Sequence, residues 1–176
     1  MLLFLLDGIE AIQDFFSLGG PVLFLIAGLT FAMWTLLLER ALYYLTAYDE
    51  DARRAIEAWE ARDERRSWYA VAIRDKLISE IHLKIEHNLA LIKTLIALCP
   101  LFGLLGTVTG MIEVFSVLSI TGGGQARSMA DGISRATIPT MAGMVAALSG
   151  VFANIYLSQK ANRESELIEE HLTSDH

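Results

Sequence analysis

Cysteine is nearly missing from this chain: Cys99 is the one cysteine in 176 residues, so neither an internal disulfide framework nor a cysteine-built zinc cluster is available. Basic charge is also short, with 14 Lys and Arg against 21 Asp and Glu for a net charge of -7. That balance excludes the basic face that nucleic-acid binding requires. Charge of either sign is scarce, at 20% of residues, below the roughly 25% of soluble domains. Residues 49–93 contain no nucleotide-binding loop, no HExxH and no paired catalytic acids. Nowhere do a base, a nucleophile and metal ligands form a recognisable set, so the sequence does not read as an enzyme or as the holder of a cofactor.

The residues that are present in excess are apolar, and they lie in runs. Phe15–Leu38, Thr94–Ile112 and Ala136–Gln159 carry no charged side chain. A helix rises about 1.5 Å per residue, so the longer runs reach roughly 36 Å, enough for a hydrocarbon core of about 30 Å. A chain of this length cannot enclose three such runs as a soluble core. The expected fold is an all-α integral membrane protein with three transmembrane helices, 20–44, 92–119 and 133–158, and lipid as its surroundings. The second run carries Pro100, Gly103, Gly106 and Gly110, and the third Pro139, Gly143 and Gly150. Both residue types are commoner in membrane helices than in soluble ones, and small residues let helix backbones approach. These two helices should therefore pack on other helices.

Basic residues set the expected orientation. Residues 1–21 hold none, whereas ten fall between Arg40 and Lys93, and Lys160 and Arg163 follow the third run. The positive-inside rule then places the N-terminus outside, residues 45–91 in the cytoplasm, a short loop 120–132 outside and the tail 159–176 inside. Residues 1–19 read as an amphipathic helix on the outer surface, with Asp7, Glu10, Gln13 or Asp14, and Ser17 on one face. The alternative is that this segment extends the first span. Gly19-Gly20-Pro21 marks the turn, and Pro21 suits a first helical turn. Residues 49–93 are helical and polar, and are expected to continue the first and second helices into the cytoplasm. His82 and His87 read as satisfied or solvated histidines rather than as a metal site.

Polar residues inside the spans are the candidates for function. Gly103, Thr107 and Gly110 share one face of the second helix; Ala136, Thr140, Gly143 and Ala147 share one face of the third, and Asn154 continues it approximately. Two small-residue stripes, each with a threonine, suit a narrow and weakly polar cavity. Hydroxyls bonded to their own backbone carbonyls are the other reading, and it applies to Thr109 as well. Glu113 and Arg135 form either an ion pair at the outer rim or two separate groups, with Arg135 snorkelling to the interface. No acid lies in the middle of a span, so a partner would have to supply any titrating proton carrier.

Two segments, PLFGLLGTVTGMI from Pro100 to Ile112 and ADGISRATIPTMAGMVAALSG from Ala130 to Gly150, resemble the ExbB/TolQ/MotA proton-channel family, most nearly its short ExbB type. The four-span flagellar branch fits poorly. The resemblance covers most of the chain and implies a bacterial inner-membrane homopentamer around a central pore. It implies two single-span helices of an ExbD-like partner in that pore, with a membrane aspartate as proton carrier, and a TonB-like protein that delivers work to outer-membrane receptors. Thr107 and Thr140 match the family's pore threonines. The chain departs from the pattern at Arg135, where better-known members carry a glutamate, so that acid's role does not transfer. A TolQ-like motor subunit, a stand-alone ion channel and a non-conducting scaffold for a membrane partner are the alternatives.

Overall fold

The computed structural model describes residues 2–62, 64, 67–121 and 126–172. These form five helices: α1 Leu2–Thr46, α2 Tyr48–Glu60, α3 Trp68–Glu86, α4 Leu89–Thr121 and α5 Ala126–His171. Three stretches are long and apolar enough to cross a membrane: Gly19–Thr46, Trp68–Ile120 and Gly132–His171. Each expected span falls inside one of them. The side chains of Asp7, Asp14, Arg127 and Asp131 and the loop 122–125 lie outside the described residues.

α1 is helical up to a break at Gly20, whose φ of 67° and ψ of −169° leave the helical region. Only glycine enters that region freely. Pro21 then sits at the start of the following helix, where its missing N–H costs nothing. α2 follows α1 across the single residue Ala47, which keeps right-handed helical angles, with the Ala47 N–H donating to the Tyr43 carbonyl at 3.0 Å and the Asp51 N–H to the Ala47 carbonyl at 3.1 Å. On the other side a left-handed Asn88, with φ 64°, separates α3 from α4, so residues 49–93 do not extend the second helix without interruption. Asparagine tolerates that conformation better than most residues. Ser67 caps the start of α3, accepting from Ala70 N at 3.3 Å, while Glu64 receives the Ser67 N–H at 2.8 Å.

The chain divides into two compact units. The first comprises the chain up to Met33 with Thr94–Val151; the second comprises Trp34–Lys93 with the chain from Phe152 onward. Each takes part of α1, α4 and α5.

In the first unit the buried positions include Val22, Leu23, Ile26 and Met33 of α1, Ile96 and Cys99 of α4, and Ala136, Ala146 and Ala147 of α5. Glycine sets the helix spacing. A Cβ on Gly103 would stand 2.9 Å from Thr140 Cα, and one on Gly110 2.9 Å from Ala136 Cβ. A Cβ on Gly143 would collide with the Cys99 carbonyl oxygen. α4 and α5 are therefore at backbone contact.

The second unit is held by polar anchors. Arg40 is only 4% exposed. It grips Glu39 with a two-pronged contact, Nε to Oε2 at 2.8 Å and Nη2 to Oε1 at 2.6 Å. Its Nη1 donates to the Lys84 carbonyl of α3 at 2.8 Å, and its guanidinium lies 4.8 Å from the Tyr43 ring centre. Tyr44 donates to the Ile85 carbonyl at 2.9 Å and Tyr48 to that of Glu164 at 3.2 Å. Lys84 Nζ donates to Asp51 Oδ1 at 2.9 Å, and that hydrogen bond, its largest electrostatic influence, holds the Asp51 carboxyl below its usual value. Arg74 of α3 caps the end of α5 by donating to the Leu172 carbonyl and, at 3.4 Å, to that of Glu169.

Candidate functional site

Glycine first determines where the threonines can meet. Because Gly103 and Gly143 carry no side chains, α4 and α5 approach closely enough for a short hydroxyl to bridge them. Thr107 projects from α4 and Thr140 from α5, and their hydroxyls are in direct contact. Thr140 Oγ1 also donates to the Gly103 carbonyl at 2.9 Å, whereas Thr107 Oγ1 reaches the same oxygen only at 3.4 Å.

Each hydroxyl owns one proton. If Thr140 spends its proton on Gly103 O, the contact between the threonines is filled by the Thr107 proton. The order is Thr107 to Thr140 to Gly103 O. Thr140 is then engaged as both donor and acceptor, while Thr107 Oγ1 keeps its acceptor lone pairs. Both residues are half-buried in the single chain. The arrangement can accept a hydrogen bond from a water or a protonated acid at Thr107 without any group changing charge.

The other candidates fall into distinct settings. Gly103, Gly110 and Gly143 serve the approach of α4 to α5 within one chain, and Ala147 is buried at 8% exposure. Thr109 takes the ordinary course, bonding to the Leu105 and Gly106 carbonyls of its own helix at 3.0 and 3.1 Å. Glu113 and Arg135 are both exposed on their helices, and the ion pairs of the described residues do not include one that joins them within the chain. Asn154 belongs to the second unit, and its Oδ1 is shut from solvent without a hydrogen-bond partner. His82 is satisfied by Ser165 Oγ at 2.5 Å, with Glu169 Oε1 at 3.4 Å. Among the described residues no three of His, Cys, Asp and Glu gather as a metal site.

Sequence reasoning missed the anchoring role of Arg40, although an Arg beside a Glu at the end of an apolar run was a visible signal. It also passed over Ser158, one turn beyond Asn154, whose Oγ is likewise buried and without a partner.

Residues 45–170 match the model of the MotA/TolQ/ExbB proton channel family. The chain is 54% identical over 61 residues to the biopolymer transport protein ExbB-like 1 of Synechocystis sp., covering 33% of this chain and 24% of that protein. It is 34% identical over 100 residues to ExbB-like 3 of the same organism, covering 53% and 47%. It is 30% identical over 89 residues to the biopolymer transport protein ExbB of Helicobacter pylori, covering 51% and 61%. The chain thus spans less than two thirds of each of these curated relatives.

Proposed function

This chain belongs to the MotA/TolQ/ExbB proton channel family, and from that membership we propose that it is an ExbB-like subunit of a proton-driven motor in a bacterial inner membrane. The observation that carries the reading is the hydroxyl pair Thr107–Thr140 on Gly103 O, which lies within the family-matched residues. The family is one of channels rather than of catalysts, and the site works by hydrogen bonding and charge movement.

In the proposed assembly five copies surround a pore that holds two single-span ExbD-like helices, and a TonB-like protein carries the work outward to outer-membrane receptors. The N-terminus faces the periplasm and the tail the cytoplasm. Thr107 and Thr140 border the pore where the partner's aspartate passes. Thr107, with its free lone pairs, accepts a hydrogen bond from that acid when it is protonated. The apolar wall around the pair keeps the unneutralised carboxylate from crossing, because an ion deep in lipid is costly. Moving one proton through the membrane potential releases about 2.3 kcal/mol per 100 mV. The glycines act at one remove, by holding the threonine-bearing helices together. Asn154 lies farther along the same helix. Glu113 and Arg135 pair at the outer rim between neighbouring copies.

The test is native mass spectrometry of the membrane complex, extracted after co-expression with its genomic neighbours. Five copies with two single-span partners are expected. A stable oligomer without a partner, conducting protons alone, would favour the stand-alone channel. A complex whose Thr107 and Thr140 variants keep full function would favour the scaffold. Dependence of envelope integrity rather than of nutrient uptake on the intact chain would favour the TolQ-like role.

A further inference from the structure

We propose that Asn154 and Ser158 of α5 hold an ordered internal water. Asn154 Oδ1 and Ser158 Oγ are both closed to solvent, and neither has a hydrogen-bond partner. Buried polar atoms are almost always paired with protein or with ordered water, because desolvation without a partner is costly. Two orphans one turn apart on one helix are not independent accidents of packing. Side chains four residues apart stand about 5–6 Å from each other at Cβ, and one water with two hydrogen bonds of about 2.8 Å spans that separation.

Serine has an easier way out, and Ser158 does not take it. Ser149 of the same helix donates to the Ala146 carbonyl at 2.7 Å, and Ser119 of α4 to that of Ser116 at 2.8 Å. The Ser158 hydroxyl makes no such bond. Between the two residues Leu157 is buried at 4% exposure, and Ala161 beyond them at 2%, so this stretch of α5 is covered by packing. Water fits the pair better than a cation does. Both groups are neutral, and a buried ion without a carboxylate to balance it would lose more hydration than two neutral oxygens restore. Water also serves the amide in either orientation, since it donates to Oδ1 or accepts from Nδ2.

The inference stands apart from the motor reading, because it concerns the hydration of one chain. It adds to the third span a molecule able to accept and pass a proton, which neither side chain does by titrating.

The test is water-to-protein magnetisation transfer, measured by solid-state NMR on the full-length isotopically labelled chain in lipid bilayers without partners. Transfer to the Asn154 side-chain amide is expected well above that at Leu157. It should be lost in Ser158→Val and retained in Ser158→Thr, which keeps the hydroxyl; both spectra also report whether the fold survives. Transfer at Asn154 no greater than at Leu157 would overturn the proposal. So would a Ser158→Val spectrum with unchanged transfer. An Asn154 resonance that moves when sodium replaces potassium at constant pH would mean a cation site, and would equally overturn it.

Discussion

The hydroxyl of Thr140 donates to the carbonyl of Gly103 at 2.9 Å, across the line where α5 meets α4. The same glycine makes the bond possible, because a Cβ there would stand 2.9 Å from Thr140 Cα. A packing residue and a polar residue are thus one device. The carbonyl already serves the α4 backbone, and the second lone pair takes the incoming hydroxyl.

Thr140→Val keeps the branched shape of the side chain and removes the donor to Gly103 O and the acceptor for Thr107. Each such hydrogen bond contributes about 1 kcal/mol, so the two together cost about 2 kcal/mol, too little to unfold a chain held by extensive helix packing. If the proposed motor role holds, proton-dependent uptake falls sharply while the protein stays at its normal level in the membrane, and Thr140→Ser restores part of it. Uptake assays beside immunoblots check this, and undiminished uptake in Thr140→Val would remove the hydroxyl from the mechanism.

Glycine substitutions should separate by position. Gly143→Ala drives a methyl into the Cys99 carbonyl oxygen, a backbone atom that cannot swing aside. Overpacking of this kind costs about 1–3 kcal/mol. Gly28 has nothing within 4 Å of its would-be Cβ. Gly28→Ala should be neutral or gain up to about 1 kcal/mol of helix propensity. Thermal unfolding of the two variants in one detergent gives the comparison. Equal midpoints would mean that α4 and α5 are not at backbone contact.

Much of this was readable beforehand, and the limits have physical causes. The spans announce themselves because uncharged runs that match or exceed the hydrocarbon thickness of about 30 Å have no other home. The break at Gly20-Pro21 and the small-residue faces of α4 and α5 follow from local chemistry. That Thr107 and Thr140 touch was not readable: shared-face arguments align residues on one helix but do not set the rotation of one helix against another. Nor could spacing tell that the glycines would be spent on the α4–α5 approach. The break between α3 and α4 is not legible in residues 49–93, whose helix-forming residues run on with little interruption. The break comes from Asn88 in the left-handed region, a backbone conformation that side-chain periodicity does not report.

Arg40→Lys should not rescue what Arg40→Ala loses. The guanidinium uses three nitrogens at once, two on Glu39 and one on the Lys84 carbonyl, and an ammonium cannot reproduce that planar fork. Arg40→Ala leaves the Lys84 carbonyl without this donor and opens space in a position 4% exposed. Breaking a buried ionic contact from one side typically costs about 3–5 kcal/mol, and the half-exposed Glu39 carboxylate, at 46%, places this one toward the lower end. Limited proteolysis of the 45–91 segment in membranes should show faster cleavage in both variants. A Lys variant as resistant as the wild type would show that charge alone holds α1 to α3.

Acid should loosen α2 from α3 through Asp51. The Lys84 hydrogen bond, outweighing the opposing effect of burial, holds the Asp51 carboxyl below the usual carboxylate range. A carboxyl whose pKa is lower in the folded chain contributes stability that is full above its unfolded value, about 3.9. That contribution is lost as pH falls through the folded value. Lys84 is 53% exposed, so solvent screening holds the contribution to at most about 1 kcal/mol. Asp51→Asn should unfold at a lower temperature than the wild type near pH 7, and the gap should narrow as the pH is taken below the ordinary carboxylate value of about 3.9. Thermal melts across that range decide the matter. A gap that widens in acid would mean that Asp51 is destabilising as a carboxylate, and that the Lys84 contact does not govern it.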